Sequence, residues 1–178
     1  ELKQASAAPV ILKISNDIDK TTEKVTEFVA AYNELRKYIN DNNKISRLED
    51  RNGSSNSYGV LAKTKIDDQL LSSLKNTLQK TKLGVEDSTA NILADLGIKT
   101  NRDTGDLELD QDALKNALSK DPQGSGRLLS KLGDNFSSTN GVIYGFTKFQ
   151  GLIDGSERAN LDENEFINSK IARIDSSI

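Results

Sequence analysis

Three clusters in this chain hold the residue types that chemistry needs. The first is Asn101-Arg102-Asp103-Thr104-Gly105-Asp106, where side-chain oxygens crowd around a glycine as in a calcium loop. An EF-hand loop wants oxygen ligands at positions 1, 3 and 5, glycine at 6, an aliphatic residue at 8 and a bidentate acid at 12. Counted from Asn101, glycine falls at position 5 and Glu108 at position 8. The register is wrong for a cation, and a plain hairpin turn fits better. The second cluster is the carboxylate set Asp103, Asp106, Glu108, Asp110 and Asp112. A glycosidase needs two acids facing each other across a cleft. Here Asp110 reads as a helix cap, and alternation puts Asp106 and Glu108 on one solvated strand face with no aromatic platform. The third is Gly124-Ser125-Gly126-Arg127, which lacks the lysine and the strand-loop-helix setting of a phosphate loop. It reads as a linker or a helix start. No residue receives a catalytic, cofactor-binding or metal-binding assignment.

Composition narrows the chemistry further. The 178 residues contain no Cys, His, Met or Trp. Thiol chemistry, disulfides and thiolate metal sites are thereby excluded, as is the commonest general base. With 24 basic and 27 acidic residues the net charge is −3, which argues against a dedicated nucleic-acid binder. No apolar run approaches the ~20 residues that a membrane-spanning helix needs. The chain starts at Glu1 without a methionine anywhere, which reads as a processed or excised fragment.

The elements that would position these residues follow from periodicity. Val10, Leu12 and Ile14 alternate after Pro9, predicting a strand over 9–15 with no hairpin partner in the chain. Residues 17–40 carry Ile18, Val25, Phe28, Val29, Tyr32, Leu35 and Ile39 at three-four spacing, predicting an amphipathic helix whose apolar side is core. Residues 41–56 are rich in Asn, Ser and Asp and read as a mobile loop. A second helix is predicted over 66–79 on Ile66, Leu70, Leu71, Leu74 and Leu78, with Gly84 as its end. A short helix capped by Asp87 or Ser88 then carries Leu93 and Leu96 and stops at Gly97. Strands at 98–100 and 106–109 flank the turn, and Asp110 caps a helix with Leu114, Ala117 and Leu118 on one side, stopped by Pro122. Val142, Phe146, Phe149 and Ile153 give a third apolar stretch of helical spacing, weakened by Gly145 and Gly151, which permit close approach or mark breaks. Gly155-Ser156 separates it from a last helix, with Asn160 and Glu163 as a capping-box-like pair. In that helix Ile167, Ile171, Ile174 and Ile178 step by four, three and four, the seam of a coiled coil.

Two groups of motifs resemble one family. The first is Leu93 to Ile98 (Leu-Ala-Asp-Leu-Gly-Ile), followed by Gly105 to Asp110 (Gly-Asp-Leu-Glu-Leu-Asp), Ala113 to Leu118 and Asp121-Pro122. The second, upstream, is Ser15-Asn16-Asp17 followed by Phe28-Val29-Ala30-Ala31-Tyr32-Asn33. In that order and spacing they resemble the C-terminal region of the bacterial flagellar filament-capping family, also called hook-associated protein 2. The match is weakest over 47–65 and 125–136.

The resemblance implies a mainly α fold: a helical bundle with a small β-hairpin at 98–109 spanning 17–155. Residues 1–16 would close a missing, upstream β-rich domain, and 156–178 would begin a truncated C-terminal coiled-coil leg that pairs with an N-terminal segment. It implies a structural protein of the filament tip, extracellular and exported through the flagellar secretion apparatus, that guides flagellin polymerisation without a cofactor. Its expected partners are copies of itself in a ring, flagellin, an export chaperone and flagellar junction proteins, with no nucleic acid and no membrane span. The charged faces Glu23-Lys24-Glu27 and Lys75-Lys80-Lys82 could form its interfaces, although any single residue among them reads first as solvated surface. The rival readings are a helical adhesin, a tip protein of another secretion system, or a carboxylate-based hydrolase.

Overall fold

The computed structural model describes residues 17–50, 53–59, 61–62, 66–85, 88–148 and 150–175. The strand predicted over 9–15, the Asp87 cap, Phe149 and Ile178 lie outside them. The described chain is mainly α with small antiparallel hairpins.

Helix α1 runs Ile18–Asn42 and α2 runs Ile66–Lys80. Asp17 starts α1 by accepting the Lys20 amide at 2.9 Å, satisfying one of the free N–H groups of the first turn. Val25, Val29, Tyr32 and Ile39 are buried along α1, with Phe28 and Leu35 half-buried beside them. Leu74 and Leu78 of α2 are buried, while Leu70 and Leu71 are half-buried. Helix α2 ends at Lys80, before the predicted Gly84, as Thr81 turns back onto the carbonyls of Thr77 and Leu78.

Between these helices the predicted loop is corrected to a ribbon. Strand β1, Ile45–Asp50, pairs antiparallel with β2, Gly53–Tyr58. Every residue of β2 is exposed. The ladder is held by backbone hydrogen bonds, so it leaves no apolar alternation in Gly-Ser-Ser-Asn-Ser-Tyr to read.

The middle of the chain forms the hairpin. The predicted capped helix is corrected to a single tight turn, Leu93–Leu96. Ser88 does not cap it; the Asp95 carboxylate does, accepting the Asn91 and Ile92 amides at 2.9 Å each. Gly97 ends the turn at φ +76, and a Cβ there would sit 2.6 Å from the Asp110 carbonyl. Both facts demand glycine. Strand β3, Ile98–Thr100, pairs with β4, Leu107–Leu109. Ile98 and Leu107 face the core with Leu93 and Leu96.

Helix α3, Gln111–Lys120, follows, capped by Asp110 on the Ala113 amide at 2.9 Å. Leu114 and Leu118 are buried. Pro122 does end α3, but it also opens α4, Pro122–Ser137, so the stretch read as linker or helix start is a full helix. Proline suits a first helical position because its missing N–H had no partner to lose. Asp121 closes one helix and caps the next, and its carboxylate also accepts Ser88 Oγ at 2.8 Å and the Thr89 amide at 3.1 Å. Leu128, Leu132 and Phe136 line the buried side of α4, and Phe136 meets Phe28 of α1 edge-on at 5.1 Å between ring centres.

The third apolar stretch is two helices, α5 at Val142–Thr147 and α6 at Leu152–Asp175. Gly151 marks the break, since a Cβ there would stand 2.7 Å from the Lys148 carbonyl. Gly155-Ser156 separates nothing: α6 runs through it, and Asn160 and Glu163 lie mid-helix rather than at a cap. A Cβ at Gly155 would meet nothing, and one glycine costs a helix about 1 kcal/mol, too little to break 24 residues.

The hairpin is fixed to α1 by two side chains, Asn33 and Arg36. Asn33 donates from Nδ2 to the Leu107 carbonyl at 2.9 Å and accepts the Leu107 amide on Oδ1 at 2.8 Å. A carboxamide thus pairs with β4 as a neighbouring strand would. Arg36, one helical turn on, reaches Asp106 at 3.1 Å and the Thr104 carbonyl.

Substituting Asn33→Ala strands both polar groups of buried Leu107. Urea titration should show a loss of about 2–4 kcal/mol, and an unchanged midpoint would refute the pairing. Asp121 gives a pH dependence. Its carboxyl is held below the ordinary 3.8, first by the Gly124 amide and then by Ser88. A depressed acid stabilises the fold above its unfolded value, and that contribution is lost as pH falls through the folded value. Asp121→Asn should therefore destabilise the chain at neutral pH and flatten the acid limb below about pH 4 in a pH series of melts.

Candidate functional site

The three clusters that suggested chemistry are each occupied by structure. Asn101 Oδ1, the first ligand of the would-be calcium loop, accepts the amides of Asp103 and Thr104 at 2.9 and 3.1 Å. Its Nδ2 donates to Glu108 at 2.8 Å, while Asp106 is turned to Arg36. Among the described residues no group of three His, Cys, Asp or Glu is placed to hold a metal. Asp110 is spent on its cap and Asp112 sits in the first turn of α3. Asp106, Glu108 and Asp110 are therefore each taken by a separate partner. At Gly124-Ser125-Gly126-Arg127 the Asp121 carboxylate accepts the Gly124 amide at 2.7 Å, so an anionic cap stands where a phosphate would bind.

Two surfaces are left with the character of a site. The first is α6. It packs on α5 at its start, and from Glu157 to Ile171 every residue is exposed. At about 1.5 Å per residue it is a rod of roughly 36 Å. Of the predicted seam, Ile167 and Ile171 are 45 and 50% exposed, an unusual position for isoleucines one turn apart. Ile174 lies within α6. Leu161 and Phe166, both 58% exposed, add apolar surface off the seam. No helix among the described residues is long and apolar enough to cross a membrane.

The second surface is a cleft of about 660 Å³ between α1, α2 and the hairpin. Tyr32, Leu78 and Ile98 form its floor, and Lys75, Lys99 and Arg102 stand on its rim. All three cations are exposed and none is in an ion pair among the described residues. Other charged faces are more self-contained. Lys24 pairs with Glu27 at 2.6 Å, and Asp41 is pulled down to about 2 by Lys37 and Lys44. Pairs this exposed contribute little to stability.

The geometry therefore offers binding surfaces and no converging reactive groups among the described residues. Sequence reading missed the roles of Asn33 and Arg36. Nothing local set them apart from Glu34 and Lys37 on the polar side of the same amphipathic helix.

Comparison with known proteins gives one family. The profile described as flagellar hook-associated protein 2 C-terminus matches residues 1–178. The B-type flagellar hook-associated protein 2 of Pseudomonas aeruginosa is 31% identical over 155 residues, covering 82% of this chain and 30% of the relative. The flagellar hook-associated protein 2 of Escherichia coli K12 is 30% identical over 182 residues, covering 92% of this chain and 36% of the relative. The chain thus spans about a third of the length of these curated relatives. Among solved structures, the D1-D2-D3 domains of the flagellar cap protein FliD from Escherichia coli match with a TM-score of 0.57 at 25% identity, covering 82% of this chain and 37% of that one. Helix-hairpin-helix fold, exposed terminal helix and full-length profile match agree: the chain belongs to the flagellar hook-associated protein 2 family, in its C-terminal region.

Proposed function

We propose that the full-length parent of this chain is the cap at the distal tip of the bacterial flagellar filament, where it guides flagellin polymerisation and prevents flagellin loss. The observation that carries this reading is the family match over all 178 residues. The exposed rod of α6 supports it, because an assembly protein needs surfaces that are finished by a partner. In this reading 156–178 begins a coiled-coil leg completed by an N-terminal segment of the parent, and residues 1–16 close a β-rich domain upstream. The seam Ile167-Ile171-Ile174-Ile178 is the buried stripe of that leg. The parent self-assembles into a ring, meets flagellin and the junction proteins, and is carried by an export chaperone through the flagellar secretion apparatus to the cell exterior.

The reading requires no bond chemistry. A cap must hold the filament and yet move as each subunit enters, which favours several modest interfaces over one large apolar one. The carboxylates of the hairpin then serve as caps and ion partners only.

The test is complementation of a cap-deficient strain with the parent, read by electron microscopy of filament tips and by flagellin in the medium. Restored capped filaments and retained flagellin are expected; unrestored filaments with normal export would overturn the reading. A second variant addresses the leg. Ile167→Asp with Ile171→Asp alters side chains already half in water, so the melting of the 178-residue chain should move by no more than about 0.5 kcal/mol. In the parent the same pair should abolish capping. Intact capping would show that the seam has no partner.

A further inference from the structure

We propose that the basic cleft beneath the hairpin receives the acidic face of α6 from a second copy of this chain. The proposal deepens, and rests on, the reading of the parent as a self-assembling cap. Glu157, Leu161 and Glu165 recur every four residues along one side of α6, and all three are exposed. By helix geometry Leu161 lies about 120° round the axis from Ile167 and about 80° from Ile171, and Glu157 stands two heptads before Ile171, about 40° from it. The patch lies on the turns of α6 that precede the isoleucine seam, with Leu161 at its centre. The nearby cation Arg158 is engaged by Asp154 at 3.4 Å.

The cleft is complementary in each respect. It has an apolar floor for a leucine, at Tyr32, Leu78 and Ile98, and Lys75, Lys99 and Arg102 around it for two carboxylates. The three cations outnumber the one acid that lines the cleft, Asp103, a local cationic excess on a chain of net charge −3. Its volume of about 660 Å³ suits a leucine with its flanking helical turn. The two halves do not meet within one molecule, because the 157–171 run of α6 is exposed along its length. They also lie on different elements, so the contact is head-to-tail: each copy offers one face and accepts another. Such contacts close into rings when the rotation per step allows it. Exposed ion pairs around a small apolar centre give a weak, salt-sensitive bond that sets orientation and encounter rate more than affinity.

The chain has no cysteine of its own, which makes the test clean. Lys99→Cys and Glu165→Cys are placed in separate copies, mixed and oxidised. The expected product is a disulfide-linked heterodimer in excess over either homodimer, its yield falling about ten-fold when Arg102→Glu is added to the first copy and returning when Glu157→Lys is added to the second. Random linkage, or yield indifferent to charge, overturns the docking. In the parent, Lys75→Glu with Arg102→Glu should abolish capped filaments, as should Glu157→Lys with Glu165→Lys, and the combination should restore them. Loss on the cleft side alone would mean that a different acidic partner fills it, and would overturn the proposal. Normal capping by both reversed variants would overturn the docking and leave the cap reading standing. Failure of the unsubstituted parent to cap would instead sink the cap reading, and the mixed-cysteine yield would then decide the docking by itself.

Discussion

The structure depends on the pairing of Asn33 with both backbone groups of Leu107. A hairpin of three residues per strand cannot stand alone in water. It persists here because its inner side packs into the core through Ile98 and Leu107, and because α1 acts as its missing third strand. Remove the carboxamide and Leu107 buries an amide and a carbonyl without partners. Arg36 repeats the clamp at the turn, on Asp106 and Thr104. The hairpin then sets the floor and one wall of the basic cleft, so packing and surface charge trace to the same few residues of α1.

Helix ends show the same economy. Asp121 terminates α3, starts α4 and ties both to Ser88 and Thr89. A single carboxylate therefore holds the sharp bend that brings Leu114 and Leu128 into one core. Carboxylates crowd this part of the sequence because helix starts and tight turns need acceptors for free amides. That need also explains why they resembled a metal or hydrolytic site while facing different ways.

The α6 rod stands apart from this closed core. Its first turns are fixed by α5, but its later apolar side chains face water. A helix of this kind stays in register through its own backbone bonds and waits for packing to give it most of its stability.

The sequence by itself determined the helices with strong periodicity, α1, α2 and α3, the Asp110 cap and the hairpin. In each, local pattern and final packing agree. It did not reveal the β1–β2 ribbon, whose ladder is backbone on backbone and leaves Gly-Ser-Ser-Asn-Ser-Tyr looking like a loop. Nor did it place α4, because glycines at 124, 126 and 133 dilute the spacing of Leu128, Leu132 and Phe136. It left Gly151 open between close approach and a break and misjudged Gly155 as a separator, since a glycine's meaning rests on what surrounds it: carbonyls crowd the first, and nothing approaches the second. The roles of Asn33 and Arg36, and the gathering of Lys75, Lys99 and Arg102 on one rim, were decided by tertiary structure alone. Their partners lie tens of residues away along the chain, and no local period records a contact that only folding creates.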